Sequence, residues 1–403
     1  MGRSQESEPA TRRSDVQIGE QLLLDSDSEV DPVISVVMPT MNEEAGIVEC
    51  IERVKTGLGN AGVTGEVIVS DDSTDRTPEF ARENDAIVVE PDGEGYGYAY
   101  RYALEHTRGE YIVMGDADTT YDFEQIPRLL ELVANGDADI VMGSRLDGEI
   151  RDGAMPPLHQ YIGNPLLTKF LNVFYGAGVS DAHSGFRVFT RNAYDEMDLE
   201  TDGMEFASEM IMEASARDLT IEETPITYYE REGEETLDSF KDGWRHVRFM
   251  LVNAPGYLFS VPGMVLGVIG LVLMSLTATS TSVGGAQFGI RTMVAGSLLT
   301  IVGYQVGSFG ILSTISSDPI RKPNDPVTNQ LTSVVSLERG ATLGCALFIV
   351  GSIHAGYTIW QWVTSGYTAL PSLIASIGTF TLIVIGIQTI FGSFFMSTLA
   401  NRD

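Results

Sequence analysis

The chain has 403 residues, with 56 acidic and 25 basic side chains and a formal net charge of −31 at pH 7. So large an acidic excess excludes nucleic acid as a partner, because nucleic-acid binding needs a basic face. Only Cys50 and Cys345 are present, which excludes a disulfide framework, and we expect reduced thiols. In molar salt the Debye length falls to about 3 Å and a dense acidic surface repels itself little. The composition is therefore typical of a halophile's cytoplasm.

The charge is distributed unevenly along the chain. Residues 1–250 carry 52 acidic and 20 basic side chains, and residues 251–403 carry the remaining 4 and 5. We therefore predict a soluble acidic part followed by a membrane part. The first segment, residues 1–32, is polar and has no apolar run, which predicts a disordered acidic tail and no signal peptide.

Residues 33–236 alternate between two patterns. Short apolar runs rich in β-branched residues predict strands covered on both faces at residues 33–38, 67–70, 86–89, 111–115 and 139–142. Helical patterns lie between these strands at residues 47–55, 78–84, 98–105 and 126–134. This order predicts an α/β domain with a mainly parallel, Rossmann-like sheet that binds its ligands at the carboxyl ends of the strands.

Acidic loops follow three of the predicted strands and should meet at one edge of the sheet. They contain Glu43, then Asp71 and Asp72, and finally Asp116 and Asp118. Two carboxylates one residue apart are the oxygen ligands that a hard cation such as Mg²⁺ takes together with substrate phosphates. The last pair therefore predicts a cation site, and the other three acids are candidates to accept hydrogen bonds from a ribose or a base.

Ordinary structural roles are the alternative for these loops. Asp122 could cap the helix that follows the Asp116 loop, and Asn42 or Asp75 could cap the helices after the other two loops. Residues 91–97 form a glycine-rich run before the third helix. This run could bring backbone N–H groups to a phosphate, or it could form an ordinary turn.

Four stretches without Asp, Glu, Lys or Arg predict four membrane-spanning helices, near residues 257–279, 292–314, 341–363 and 371–396. Each stretch is long enough to cross a hydrocarbon core, which takes about 20 residues of helix. The basic residues beside the spans, apart from Arg291, fall on one side. The positive-inside rule therefore predicts a multi-pass protein of the cell membrane with the acidic domain and both termini in the cytoplasm. A homo-oligomer formed through this membrane domain, residues 257–403, stays open.

Two segments have apolar side chains at helical spacing that could contact lipid. Residues 237–256 combine such a stripe with basic side chains, the pattern of an interfacial helix; its members are Leu237, Phe240, Trp244, Val247 and Leu251. The second stripe predicts either lipid contact or an ordinary core face, and it consists of Leu158, Ile162, Leu166, Phe170 and Val173.

Six motifs occur in the order seen in a known family. They are VMPTMNEE at 37–44, SDDSTD at 70–75, GDAD at 115–118, GSR at 143–145, SGFRVF at 184–189 and ETPI at 223–226. In this order they resemble family 2 glycosyltransferases of the dolichyl (polyprenyl) phosphate hexosyltransferase type, such as dolichyl-phosphate mannose or glucose synthase. The resemblance covers residues 33–250, and the membrane part is similar to that of members with four spans.

This resemblance implies a GT-A fold and transfer of mannose or glucose from GDP-mannose or UDP-glucose to dolichyl or polyprenyl phosphate, with inversion at the anomeric carbon. It implies that Asp116 and Asp118 hold Mg²⁺ or Mn²⁺ on the donor diphosphate. It also implies that Glu209 binds sugar hydroxyls. The nucleotide would be bound by Pro39, Met41, Glu43, Asp71, Asp72 and Ala117.

A lipid phosphate is already anionic at neutral pH, so the reaction needs no strong base, but the phosphate needs a cationic cradle. Arginine suits this role because it binds phosphate with two parallel hydrogen bonds, and the candidates are Arg187, Arg145 and Arg231. A structural ion pair is the alternative for each. The family usually has a Ser-Lys pair soon after the position of Arg231, and its absence here makes Lys241 or Arg245 a candidate substitute. The family also often has glutamine at the position of Thr120.

The sequence therefore predicts a hexosyltransferase that works on a lipid phosphate at the cytoplasmic membrane face and supplies lipid-linked sugar for glycosylation. Its predicted catalytic residues are Asp116, Asp118 and Arg187. One alternative is transfer to a sugar hydroxyl, which needs a base carboxylate and a Gln-x-x-Arg-Trp motif that the sequence does not offer. The other is a nucleotide-binding membrane scaffold or transporter, whose spans should contain ionisable residues, and here only His354 qualifies.

Overall fold

The computed structural model describes residues 22–233, 239–316, 337–368, 370 and 372–400. Its soluble part is built on seven strands: β1 (Ile34–Thr40), β2 (Gly65–Asp71), β3 (Ile87–Val89), β4 (Tyr111–Met114), β5 (Ile140–Ile150), β6 (Arg187–Thr190) and β7 (Ile221–Tyr228). They form one sheet in the order β3-β2-β1-β4-β6-β5-β7. β6 runs antiparallel to both of its neighbours, and the other pairs are parallel.

Eight helices of the soluble part connect the strands or follow them. They are α1 (Ile47–Ala61), α2 (Thr77–Glu83), α3 (Tyr96–Leu104), α4 (Ile126–Ala134), α5 (Asn164–Tyr175), α6 (Arg191–Glu196), α7 (Phe206–Ala216) and α8 (Ser239–Val252). A π-helical turn, His159–Gly163, leads into α5. The five predicted strands, the four predicted helices and the mainly parallel α/β sheet are confirmed, whereas β6 and β7 were not predicted.

Both faces of the sheet are covered, because side chains alternate between two cores along each strand. Val36 of β1 lies in one core with α1 and α4, and the next residue, Val37, lies in the other core with α3, α5 and α7. Val67 and Ile68 of β2 divide in the same way. Burial on both faces explains the nearly continuous apolar runs of these strands.

A buried carboxylate, Glu66, holds together the edge of the sheet at which β1 and β2 begin. Glu66 is 0% exposed and accepts hydrogen bonds from Ser35 Oγ (2.6 Å), Arg108 N (2.8 Å) and Arg108 Nε (2.8 Å). Arg108 also donates to the carbonyls of Asp25 and Ser28. The predicted tail boundary at residue 32 is therefore too late, since Leu23 is already buried at 2% exposure; residues 1–21 lie outside the described part.

Within the described ranges, four further helices follow α8: α9 (Val261–Ala278), entered through a π-helical turn (Gly256–Ser260), α10 (Ile290–Ser316), α11 (Leu337–Thr364) and α12 (Leu373–Ala400). Each of these helices is long and apolar enough to cross a membrane. The four candidate spans are Gly256–Ala278, Ile290–Thr314, Glu338–Thr364 and Leu373–Leu399. Glycines allow the close helix contacts that are typical of membrane proteins. A Cβ on Gly263 would lie 2.4 Å from Gly307 N, and one on Gly344 would lie 2.8 Å from Ile390 N.

We predict that Glu66→Ala destabilises the chain by about 3 kcal/mol or more, because it leaves the buried donors of Ser35 and Arg108 without an acceptor. Glu52→Ala is the matched control, since Glu52 is 58% exposed and pairs only with Lys55 on the surface. Urea unfolding of the full chain in detergent, followed by circular dichroism, measures both changes. Equal midpoints for the two variants would contradict the role given to Glu66.

Candidate active site

The predicted acidic loops meet at the carboxyl edge of the sheet, and Arg231 joins two of them. Arg231 Nη2 bonds the carboxylate of Glu43, which follows β1, and Arg231 Nη1 lies 3.7 Å from Asp118 Oδ2, which follows β4. The loops after β1 and β2 meet as well, because Thr40 Oγ1 donates to Asp71 Oδ1 at 2.7 Å. The parallel register of β1, β2 and β4 brings their ends to one line.

Asp116 has its two carboxylate oxygens in different surroundings. Oδ1 accepts hydrogen bonds from the hydroxyls of Tyr96 (2.9 Å) and Tyr100 (3.3 Å). Oδ2 faces Gly185, where a Cβ would lie 3.1 Å from it. Burial, followed by the nearby charge of Asp118, raises the pKa of Asp116 to about 6, although both phenols lower it.

Asp118 is buried on a strained turn. Its Oδ1 accepts hydrogen bonds from Thr120 N (3.2 Å) and Thr120 Oγ1 (2.5 Å). Thr119 has φ +63°, a conformation that is rare for a β-branched residue and that clusters at functional sites. The strand-like segment after β7 lies on this turn, since Tyr229 N donates to Thr120 O and Glu232 N donates to Asp118 O.

Three carboxylates therefore share this edge, and among the described residues Arg231 is the guanidinium that pairs with them. Burial raises the pKa of Glu43 to about 7, with further raising by Asp118 and Asp116, while Arg231 lowers it. Such an excess of carboxylate fits a divalent cation. No described group of three His, Cys, Asp or Glu side chains forms a complete metal cage, so a cation here would take Asp116 and Asp118 and fill its shell with substrate phosphates and water.

The edge beside these carboxylates carries the residues that the family resemblance implies for a nucleotide pocket. Met41 is 62% exposed and Asp72 is exposed, while Asp71 is buried and accepts hydrogen bonds from the hydroxyls of Thr40 and Ser73. Pro39, at the end of β1, is partly buried, and Ala117 is buried beneath the turn. Contact between these residues and a nucleotide stays a prediction.

The predicted cap is present at Asp122, which accepts a hydrogen bond from Glu124 N at 3.1 Å at the start of the 3₁₀ turn that leads into α4. Asp75 accepts one from Thr77 N at 2.9 Å, but it precedes Arg76, the N-cap residue of α2, which has no side-chain cap. Asn42, at φ +62°, instead binds the neighbouring loop through Thr74 N at 2.9 Å. Asp116 and Asp118 cap no helix, so the capped-loop alternative does not account for them.

Arg145 adopts the structural alternative among the three predicted phosphate-binding arginines. Its Nε and Nη2 donate to the two carboxylate oxygens of Asp181, at 2.7 and 2.9 Å, and Asp181 is fully buried. Tyr228 stacks beside the guanidinium, which lies 5.2 Å from the ring centroid. The side chain is only 8% exposed, so its charge is already neutralised inside the fold.

Arg187 is also taken up by the fold, which corrects its predicted first place in the acceptor site. It is fully buried, and it donates to the backbone carbonyls of Ser184, Ala182 and Ala207 at 2.9–3.0 Å. Burial lowers the pKa of this guanidinium. The Ser-Gly-Phe-Arg motif therefore ties β6 to the start of α7 and presents no exposed cation.

Glu209 likewise binds backbone and not solvent in this structure. Its carboxylate accepts hydrogen bonds from Glu200 N and Thr201 N at 3.0–3.2 Å, and the residue is buried. Gly97 N, at the end of the glycine-rich run, and Tyr98 N, directly after it, both donate to Asp202 O, so these two groups are not directed at a phosphate.

Sequence reasoning missed Tyr96 and Tyr100, which contact Asp116 directly. The four-residue spacing of the two tyrosines was visible, but the predicted helix at residues 98–105 leaves Tyr96 in the glycine-rich run before it; the observed α3 begins at Tyr96, which puts both side chains on one face. A stripe of aromatic side chains is ordinarily read as core, and the pattern alone does not reveal that both hydroxyls point at one carboxylate.

An exposed apolar surface lies beside the first candidate span. On the segment leading through α5 it consists of Leu158, Tyr161, Ile162, Leu166 and Val173, and on α8 it includes Trp244 and Val252. The rings of Phe174 on α5 and Tyr257 at the start of the span stack 4.8 Å apart. The core alternative is therefore wrong for most of the second stripe.

The predicted interfacial stripe on α8 is divided. Val247 and Leu251 pack against the second core, while Trp244 is 60% exposed. Leu237 and the side chains of Phe240 and Lys241 lie outside the described part of the chain, as do the residues after Gly233 in which the family's lysine would occur.

Comparisons with known proteins agree with this architecture. Residues 35–198 match Glycosyl transferase family 2, and residues 314–400 match the Glycosyltransferase family 2 C-terminal transmembrane region. The chain is 61% identical over 381 residues to the low-salt glycan biosynthesis hexosyltransferase Agl6 of Haloferax volcanii, covering 94% of this chain and 92% of the relative. It is 35% identical over 215 residues to a dolichyl-phosphate hexose transferase of the same organism, and the match covers 52% of this chain and 89% of that relative.

Among solved structures, the fold is similar to that of glucosyl-3-phosphoglycerate synthase from Mycobacterium tuberculosis, crystallised with Mn²⁺, UDP and glucosyl-3-phosphoglycerate. The sequence identity is 23% and the TM-score 0.45, covering 55% of this chain and 80% of that chain.

We predict that Arg187→Met destabilises the chain by about 3 kcal/mol, because three buried carbonyls lose their donor. Arg82→Met is the control, since Arg82 is half exposed and forms only a surface pair with Glu90. Thermal unfolding of the full chain in detergent measures the difference. A stable Arg187→Met protein that no longer binds the acceptor would return this arginine to the acceptor site.

Proposed function

The chain belongs to glycosyl transferase family 2, and we propose that within this family it transfers a hexose from a nucleotide sugar to a polyprenyl phosphate such as dolichyl phosphate. The observation that carries the proposal is the meeting of Glu43, Asp116 and Asp118 with Arg231 at one edge of the sheet. In the same chain an exposed apolar surface leads into four candidate spans. A donor diphosphate and a lipid phosphate both suit such a site.

Asp116 and Asp118 are the proposed ligands of Mg²⁺ or Mn²⁺. When bound, this cation would neutralise the negative charge that develops on the departing nucleoside diphosphate. The nucleoside would lie over the loops after β1 and β2, against Pro39, Met41 and Asp72, with GDP-mannose or UDP-glucose as the donor. The buried Asp71 would hold the shape of this pocket through its bonds to the hydroxyls of Thr40 and Ser73.

The lipid phosphate is the proposed nucleophile. One of its oxygens forms a bond to the anomeric carbon of the hexose, while the bond from that carbon to the β-phosphate oxygen breaks and the nucleoside diphosphate leaves. The nucleophile is already ionised at neutral pH, so no proton has to be removed and no carboxylate base is required. Attack from the face opposite the leaving group inverts the anomeric carbon.

Arg231 is the arginine best placed to receive the acceptor phosphate. Its side chain is 25% exposed and lies at the carboxylate edge, whereas Arg145 and Arg187 are buried in contacts with the fold. The phosphate would approach from the apolar surface formed by Leu158, Ile162 and neighbouring residues, because a polyprenyl chain remains in the bilayer.

We propose that the catalytic domain lies in the cytoplasm. The exposed apolar side chains beside the first candidate span would contact the bilayer surface. Trp244 would lie at the level of the lipid headgroups, where tryptophan is enriched. The basic residues beside the spans support this side for the soluble domain. Lipid-linked hexose made here would serve glycan assembly, as the name of the Haloferax relative Agl6 indicates for that protein.

We predict that the full chain, incubated with Mn²⁺, dolichyl phosphate and labelled GDP-mannose or UDP-glucose, forms a labelled lipid. Asp118→Ala should reduce the product to background because a cation ligand is lost. Asp122→Ala, an acid four residues away that only caps a helical turn, should leave most of the activity. No lipid product from any common nucleotide sugar would refute the proposed acceptor, and an active Asp118→Ala enzyme would refute the cation site.

The first two candidate spans are joined by a short antiparallel hairpin, in which Ser282–Val283 pairs with Ala286–Gln287. We predict that the cysteine of a Ser282→Cys variant is modified by a membrane-impermeant maleimide added to intact cells. A cysteine at Glu94 in the soluble domain should react only after the membrane is opened, because the two positions lie on opposite sides of the bilayer. Cys345→Ser removes the exposed native thiol for this measurement. Labelling of position 94 in intact cells would reverse the proposed orientation.

A further inference from the structure

The two tyrosines beneath Asp116 have no place in the function proposed so far. Tyr96 and Tyr100 lie one turn apart on α3, and both hydroxyls donate to the same oxygen of Asp116, Oδ1, at 2.9 and 3.3 Å. We propose that Tyr96 and Tyr100 are positioning residues that fix the Asp116 carboxylate, so that Oδ2 alone is presented to the cation. This inference rests on the proposed cation site.

The geometry is specific to one oxygen. Hydrogen bonds to an ionised acceptor are among the strong ones in proteins, and two of them on Oδ1 restrain rotation of the carboxylate about its bond to the β-carbon. Oδ2 lies on the other side, against Gly185, whose backbone N donates to Tyr121 OH at 2.7 Å. A side chain at position 185 would crowd Oδ2, since a Cβ there would lie 3.1 Å away.

The tyrosine rings are themselves held in place. Their centroids lie 5.0 Å apart in an edge-to-face arrangement, and Tyr100 stacks on Phe206 of α7 with a centroid distance of 5.6 Å and an interplanar angle of 2°. Tyr100 is fully buried. Aromatic packing of this kind fixes ring orientation, so the hydroxyls stay directed at Asp116.

The first turn of α3 is anchored by a chain of contacts that begins at Glu209. The Glu209 carboxylate holds the backbone N–H groups of Glu200 and Thr201. Asp202 directly follows Thr201, and its carbonyl oxygen accepts hydrogen bonds from Gly97 N and Tyr98 N at the start of α3. Gly97 permits this approach, because a Cβ there would lie 2.2 Å from Thr201 O.

This series of contacts gives Glu209 and the glycine-rich run a positioning role that acts on the reaction only through Asp116. In this role neither of them has to contact the sugar or a phosphate. The loop at residues 200–203 holds α3, α3 holds the two hydroxyls, and the hydroxyls hold Oδ1. Asp118 is supported independently, by Thr120 N and Oγ1, so the two carboxylates of the pair have separate supports.

The experiment measures Mn²⁺ affinity and not turnover. The full chain in detergent is titrated with Mn²⁺ in the presence of GDP, and separately of UDP, and the free ion is followed by its electron paramagnetic resonance signal. Tyr96→Phe and Tyr100→Phe should each raise the apparent Kd about 10-fold, the typical effect of losing one hydrogen bond to a charged group. Tyr98→Phe is the control, because its hydroxyl donates to the exposed Asp92 away from the site.

A double-mutant cycle separates positioning from general stability. In the Asp116→Ala background the same two Tyr→Phe changes should alter the Kd less than 2-fold, because the oxygen that accepts both hydrogen bonds is gone. Equal effects in both backgrounds, or wild-type affinity in both tyrosine variants, would overturn the inference. If the wild type makes lipid product and binds Mn²⁺ while the tyrosine variants bind it equally well, only this inference fails. If the wild type shows no saturable Mn²⁺ binding, the proposed cation site fails with it.

Discussion

The burial of Glu43, Asp116 and Asp118 together at one edge of the sheet is the constraint on which the rest of the site depends. Like charges in a poorly solvated place raise one another's pKa, and the pKa of Glu43 rises to about 7 for this reason together with burial. Arg231 pairs with Glu43 and lies 3.7 Å from Asp118, while neutral donors hold the other contacts: two phenols for Asp116, and the Thr120 N–H and hydroxyl for Asp118. The proposed divalent cation would give Asp116 and Asp118 a full opposing charge, which these neutral donors do not supply. The edge is thus arranged for a ligand that brings its own positive charge.

The residues around this edge divide into those that face it and those that hold it. Arg187 fastens β6 to α7, and Arg145 neutralises the buried Asp181. Glu209 holds the loop against which α3 begins. The buried pair of Arg145 and Asp181 contributes little binding energy for a ligand, because the two charges already satisfy each other inside the fold. Arg187 spends Nε and Nη2 on backbone carbonyls, and its buried Nη1 has no partner among the described residues. The same contacts contribute much to geometry, because removing one partner leaves the other unsatisfied inside the protein.

Periodicity and loop position were sufficient to predict five of the seven strands, four of the helices between them, the spans and the meeting of the acidic loops. These follow from rules that act over short distances along the chain: alternation in strands, apolar length in spans and the common edge of parallel strands. β6 could not be predicted because it is four residues long and gains its place from β4 and β5, which lie far away in sequence. The roles of Arg187 and Glu209 were missed for a related reason. A motif shows which residues occur together, but whether a charged side chain is exposed or turned onto backbone carbonyls depends on tertiary packing.

The acidic composition imposes a last condition on how the acceptor is recognised. The proposed donor diphosphate and the proposed lipid phosphate are both anions, and a domain that carries most of the −31 charge repels them at long range. At physiological ionic strength the Debye length is about 8 Å, and in molar salt it is about 3 Å, so both the repulsion and any long-range steering by surface cations disappear. Contacts in partly buried places are screened much less. Recognition in such a protein must therefore rest on a few short contacts at the carboxylate edge, such as those of Arg231, and on an acceptor delivered by the bilayer itself. The family's missing lysine is less of a loss under these conditions, because an exposed lysine acts mainly through the field that salt removes.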